Sequence, residues 1–420
     1  MKDSGIDWIG KIPDEWEVKR LKFVSKNRNE KYDEQYGMLD YFSLENIESQ
    51  SARYVETKNE YDISQSLICK KEDVVFGKLR PYLAKVYKVE KMSCCSSEFA
   101  IFYNFEGDSS FLKYYFLSDG FVKIVDSSTY GTKMPRANID FIRNMQIPFP
   151  PLSEQTKIAG FLDKKCSEID SIIEESKNSI EEYKAWKQSV IFEAVTGKNL
   201  SCKKKNSGIE WLGEIPENFT ITRIKHIATL AGRIGWQGLT SQEYSDEGCY
   251  LITGINFSNG EINWESCVRV PYSRWEEATQ IQIENGDLLI TKDGTVGKVA
   301  IVNNMPDKTS LNSGVLLIRQ NKKVCSTRFL FWILQSNIFW KWFNYINAGN
   351  STIIHLYQHD FSNFSFPNPS IKIQNEISNY LDKKCAQIDS LISEKQSLIK
   401  DLAEYKKSLI FEAVTGKRRV

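Results

Sequence analysis

The chain has 420 residues, 41% of them hydrophobic, and a net charge of +1, which fits two to three globular domains and excludes a uniformly basic nucleic-acid coat. Its nine cysteines follow no framework spacing and read as reduced thiols of a cytoplasmic protein. No apolar core of a signal peptide appears in residues 1–25, and the longest apolar run, 329–334, is far too short to span a membrane.

The chain opens on SGIDWIGKIPDEWEVKRLKFV, residues 4–24, and repeats that segment as SGIEWLGEIPENFTITRIKHI at 207–227, an offset of 203. The segments that follow, about 25–150 and 228–367, differ in sequence but share an outline. Each has short strand-like runs, 73–76 and 83–89 in the first, 287–291 and 296–302 in the second. A further strand is expected at 98–103 and 314–319, and then a helix at 110–125 and 326–346. Pro-rich boundaries at 147–155 and 366–374 cannot continue a strand or a helix interior, so they introduce a new helix, with Ser153 before Glu154 and Gln155 as a plausible start.

That helix is the second repeat. Residues 160–198 and 379–417 match without a gap at an offset of 219, and both end in IFEAVTGK. The interval between the two repeated elements is therefore 16 residues longer in the second half. In the first copy Leu162, Cys166, Ile169, Ile173, Ser176, Ile180, Tyr183, Lys187, Val190 and Ala194 alternate steps of four and three. In the second, Leu381, Cys385, Ile388, Ile392, Lys395, Ile399, Leu402, Lys406, Leu409 and Ala413 do the same. Gly197 and Gly416 stand where helices stop. Each rod carries an apolar stripe it cannot bury alone, and the matching stripe is on the other copy, so the two are expected to pack together. The expected coiled-coil interface comprises Leu162, Ile169, Ile173, Ile180, Val190, Leu381, Ile388, Ile392, Ile399, Leu402 and Leu409.

The organisation is a tandem duplication of α+β type: a recognition head at 1–150, a helix at 151–198, a linker at 199–206, a second head at 207–367 and a second helix at 368–420. Two unlike heads on like rods suit two unlike half-sites on duplex DNA. Local charge agrees with this. Residues 70–91 carry Lys70, Lys71, Lys78, Arg80, Lys85, Lys88 and Lys91 against Glu72, Asp73 and Glu90, and 287–323 carries six basic against three acidic residues. The loops 130–138 (YGTKMPRAN) and 349–358 (GNSTIIHLYQ) hold donors suited to base edges. The candidate DNA contacts are Lys78, Arg80, Tyr82, Lys133, Arg136 and Asn138 in the first head. In the second they are Arg233, Trp236, Gln237, Lys292, Lys298, Asn350, Ser351, Thr352 and His355.

The motifs of catalysis are missing. GTVGK at 294–298 is too short for a phosphate loop, no Asn-Pro-Pro-aromatic methylation motif occurs, and His355 and His359 lack the glutamate of a zinc-protease helix. Asp14, Glu17 and Lys19 mimic a nuclease set, but the second copy has Thr220 and Thr222 at the latter two places. No metal is expected. A stand-alone DNA-processing enzyme and a coiled-coil scaffold are the alternatives to a DNA-reading subunit.

These pieces together resemble the specificity (S) subunit of type I restriction-modification enzymes. The resemblance rests on the paired GIxWxGxIP starts at 5–13 and 208–216, on GDLLITKDGTVGKVAIV at 286–302, on GTKMPRANID at 131–140, on PFPPLSEQTKIAGFLD at 148–163 and on the repeated helices. It covers nearly the whole chain. It implies two target recognition domains, each binding half of a split asymmetric DNA site, and an antiparallel coiled coil that sets the spacer. It also implies two methyltransferase subunits using S-adenosylmethionine on adenine, with ATP- and Mg2+-dependent restriction subunits beyond them. The second head departs from the first, with DLLITKDGTVGKV for DVVFGKLRPYLAKV and STIIHLYQHDF for the GTKMPRANIDF loop.

Overall fold

The structure is a computed structural model that describes residues 1–57, 65–129, 133–235, 238–320, 324–348 and 355–420. The chain forms two units, Met1–Asn178 with Lys395–Val420, and Ser179–Glu394. Each unit thus holds one head and part of each long helix.

The first head is built on a four-stranded antiparallel sheet in the order Lys26–Arg28, Phe99–Tyr103, Val74–Gly77, Val86–Lys88. The second repeats that order with Ala228–Gly232, Val315–Gln320, Leu288–Thr291 and Val299–Ile301. The central strands, VVFG and LLIT, are buried at every position, because both sheet faces are covered. Side chains alternate between the faces. Val74, Phe76, Ala100 and Phe102 meet the helical layer of Phe111, Phe116 and Phe121, while Val75, Phe99 and Ile101 meet Phe42, Ile47 and Leu67.

The heads diverge in a smaller sheet. In both, a parallel pair forms, Tyr41–Phe42 with Ser93–Cys95 and Cys249–Ile252 with Thr309–Leu311. The third strand joins Ser93–Cys95 in the first head, as Leu67–Cys69. In the second it joins Cys249–Ile252, as Val268–Val270. The longer second segment therefore builds on the opposite edge.

Each helix expected after the sheet is two helices. The first is Ser109–Leu117 then Asp119–Ser127, and the second is Thr327–Gln335 then Asn337–Ile346. Both break at a fully buried serine, Ser118 or Ser336, whose hydroxyl donates at 2.6 Å to the carbonyl three residues back. That local bond competes with the helix ladder.

The long helices run Leu152–Thr196 and Ile371–Val414. Buried Gln155 and Gln374 open them: Nε2 donates to Pro150 and Pro369 carbonyls at 2.8 Å, and Oε1 accepts from the Asp108 and Ser326 N–H groups. Within the first unit Leu162, Cys166 and Ile169 pack with Leu409, Ile410 and Ala413. Within the second, Val190, Ile191 and Ala194 pack with Leu381 and Cys385. Early residues of one helix meet late residues of the other, so the pair is antiparallel. All eleven predicted interface positions are buried or half-buried. The helices end at left-handed Gly197 (φ 67°) and Gly416 (φ 69°), where a Cβ would lie 2.6 Å from Pro216 Cγ and 2.3 Å from Pro13 Cδ. The tail of each helix thereby seats a copy of the repeated start segment. Among the described residues no helix is long and apolar enough to cross a membrane.

Candidate nucleic-acid interface

In the first head the central strand Val74–Gly77 runs out into Lys78, Leu79 and Arg80, and the loop ending at Asn138 pairs with it there. Ala137 N–H donates to the Lys78 carbonyl at 2.9 Å, Arg80 N–H to the Pro135 carbonyl at 2.8 Å, and Lys78 N–H to the Glu98 carbonyl at 2.8 Å. The backbone thus brings Lys78, Arg80 and Arg136 together at the C-terminal end of that central strand, with exposed Lys133 a few residues earlier in the loop. Arg80 is exposed and left-handed (φ 51°), and Tyr82 beside it is 46% exposed. Arg136 stands outward with Nε and Nη2 on the two oxygens of Glu98, 3.1 and 2.8 Å away. Burial holds the Lys78 ammonium below its ordinary pKa; Glu98 opposes this and the Arg136 charge adds to it.

The second head repeats the backbone scheme. Lys292 N–H donates to the Gly314 carbonyl at 2.8 Å and Leu356 N–H to the Lys292 carbonyl at 3.0 Å. His355 Nδ1 meets the Asp293 carboxylate, and its ring lies 4.5 Å from that of Tyr357. An acid again faces a cationic or titratable side chain of the loop, here an imidazole in place of a guanidinium.

Other predicted contacts are placed differently. Lys298 points its ammonium at the Gly254 carbonyl, 3.4 Å away. The duplicate residue Lys85 does likewise with the Leu44 and Ile47 carbonyls at 2.5 and 2.8 Å. Both lysines tie down a turn built on a buried asparagine, Asn256 or Asn46. Lys298, an expected DNA contact, is thus half-buried with its ammonium turned to its own head's backbone. Arg233, another expected contact, is 5% exposed and donates inward to the Leu311 carbonyl and the Ser310 hydroxyl, both at 2.8 Å. Burial lowers its pKa. Asn138 caps the helix Ile139–Asn144, its Oδ1 accepting from Asp140 and Phe141 N–H. Trp236, Gln237, Asn350, Ser351 and Thr352 lie outside the described residues.

Much of the local basic charge is also spoken for, Lys88 by Glu72 at 3.5 Å and Lys70 by Glu30 at 3.9 Å. Sequence reading missed Glu98, Asp293 and the bracing lysines. Glu98 lies 38 residues from Arg136, and no local spacing signals such a pairing. The Lys-Val dipeptide common to both heads was the one available hint for Lys85 and Lys298. Asp14 is exposed on a turn, whereas Glu17 and Lys19 lie in the strand Glu17–Arg20, with Lys19 Nζ 2.9 Å from the Glu17 carboxylate. Among the described residues no three His, Cys, Asp or Glu side chains are grouped to hold a metal ion.

Duplicated heads of one topology, each offering a basic segment and a loop at the same end of its central strand and each containing part of both long helices, define a tandem DNA-specificity protein. The chain belongs to the family of the type I restriction modification DNA specificity domain, whose family model matches residues 13–182 and 216–401. The specificity subunit of type I restriction enzyme MjaVIII from Methanocaldococcus jannaschii is 24% identical over 435 residues, 98% of this chain and 94% of that one. That of EcoBI from Escherichia coli is 21% identical over 310 residues, 72% of this chain and 65% of its own. Among solved structures, a chain from work on complex assembly and conformational transition of the type I R-M system superposes with a TM-score of 0.77 at 19% identity, covering 97% of this chain and all of that one (100%). The HsdS subunit from Thermoanaerobacter tengcongensis gives 0.54 at 19% identity, covering 97% and 98%. The chain is thus a type I specificity subunit, which binds DNA for its restriction-modification complex.

Proposed function

We propose that each head reads one half of a split, asymmetric DNA site and that the helix pair sets the unread spacer between the halves. Two methyltransferase subunits dock on the chain and methylate adenine with S-adenosylmethionine, and restriction-translocase subunits join them with ATP and Mg2+. The chain acts in the cytoplasm and supplies no catalytic group; the target adenine is flipped out of the stack into a partner. The reading residues are Lys78, Arg80, Tyr82, Lys133 and Arg136 in one head and Lys292 and His355 in the other. Asn350, Ser351, Thr352, Trp236 and Gln237 are added from their loops in the sequence.

One observation carries this reading. The two heads share a backbone scheme at the end of the central strand but hold different donors on it, Arg136 over Glu98 against His355 beside Asp293. A common scaffold with unlike donors suits two unlike half-sites. Single-molecule sequencing of the host genome is expected to find methylated adenines at a bipartite site with two different halves. A continuous or palindromic site overturns the reading, as does methylation or cleavage of DNA by the purified chain alone.

A further inference from the structure

We propose that two duplicate ion pairs, Asp170–Lys406 and Lys187–Asp389, are the register lock of the helix pair. Lys406 is 6% exposed and reaches both oxygens of Asp170 at 2.7 Å, inside the first unit. Inside the second, Lys187 reaches both oxygens of Asp389 at 2.7 and 2.6 Å. Lys187 and Lys406 occupy the same place in the two copies, and so do Asp170 and Asp389.

Both lysines stand at seam positions, where an apolar residue would pack better. A charged residue there costs stability and specifies orientation and register. Orientation follows from the duplication itself. In a parallel pair each residue meets its own copy, so Lys187 would face Lys406; only antiparallel pairing brings lysine to aspartate.

Register needs one more element. A slip of seven residues one way sets Lys406 against Lys177 and Lys187 against Gln396, which loses both pairs. The opposite slip offers Asp163 and Asp382 instead. Those acids are already engaged by the heads. Asp163 accepts from Lys113 Nζ and Tyr114 Oη at 2.8 Å, and Asp382 from Arg328 Nε and Trp332 Nε1 at 2.8 and 2.9 Å. The heads thus withhold the competing acids, and one register remains.

The consequence for DNA spacing rests on the proposed function; the lock does not. Ile173 and Leu402 pack in the same core of the first unit. After the slip that sets Lys406 against Asp163, position 402 would instead face native Cys166. In the full chain, oxidation is expected to join the pair in I173C/L402C, and to leave L402C alone unbridged to Cys166. D170K should lose the 173–402 bridge, and D170K/K406D should regain it. K187M/K406M keeps an apolar seam and should fold, yet lose exclusive register, so that L402C now bridges Cys166. A K187M/K406M chain that retains only the 173–402 bridge overturns the lock. If the bridges change but the assembled complex methylates half-sites at unchanged spacing, the lock stands and the spacer reading fails.

Discussion

Arg136 and Lys298 show how little residue type says about role. Both are basic residues in head segments of basic character, yet one faces outward on Glu98 and the other braces the Gly254 carbonyl. For Arg136→Ala, specificity is expected to relax at one position of one half-site, at a cost of about 1–3 kcal/mol. Binding to a panel of single-base site variants by the assembled complex measures this, and uniform weakening would make Arg136 a phosphate contact. The lysine pair separates on different axes. Lys292→Ala is expected to weaken DNA binding and reduce its salt dependence by about one charge. Lys298→Ala should instead lower the unfolding midpoint of the second head and leave the salt slope unchanged. Salt titrations beside thermal melts of both variants decide between these outcomes.

At the scale of elements, the long helices bury thiols on their seam. Burial pushes Cys166 up to about 11, with the nearby Lys406 charge partly offsetting it, and burial likewise pushes Cys385 up to about 11. An unfolded thiol ionises near pH 9.0. Between these values the folded chain holds protons that the unfolded chain has released, so stability falls as pH rises. Full stability from this source is present below about pH 9 and is lost towards pH 11, on the order of 1 kcal/mol per pH unit for each thiol. Denaturant melts across that range are expected to slope downward, and the slope should flatten in C166A/C385A. A slope unchanged by the double substitution would place the alkaline sensitivity elsewhere. The helix pattern was legible because a seam of steps four and three survives any context. The two bent helices were not, since Ser118 and Ser336 become breakers only when their hydroxyls are buried against their own backbone.

At the scale of the molecule, one duplication provides two heads on one helix pair. Seven residues inserted into each long helix between its two locking positions keep the seam in phase. They lengthen each rod by about 10 Å, on the order of three base pairs of B-DNA. The methylated half-sites are expected to keep their sequences and move apart by that amount. Four residues inserted into the first helix alone should abolish site-specific methylation, because one helix then falls out of step with the other. Unchanged spacing after the paired insertion would count against a helical ruler.

Duplication, helix seams, helix stops and the family could all be read from order alone, because repeats and heptads are properties of sequence spacing. Which cations face outward could not. That was decided when tertiary packing brought Glu98 to Arg136, Gly254 to Lys298 and Leu311 to Arg233 across 38, 44 and 78 residues of chain. A side chain's function in the heads depends on which distant backbone atoms become its neighbours, and no local pattern encodes that.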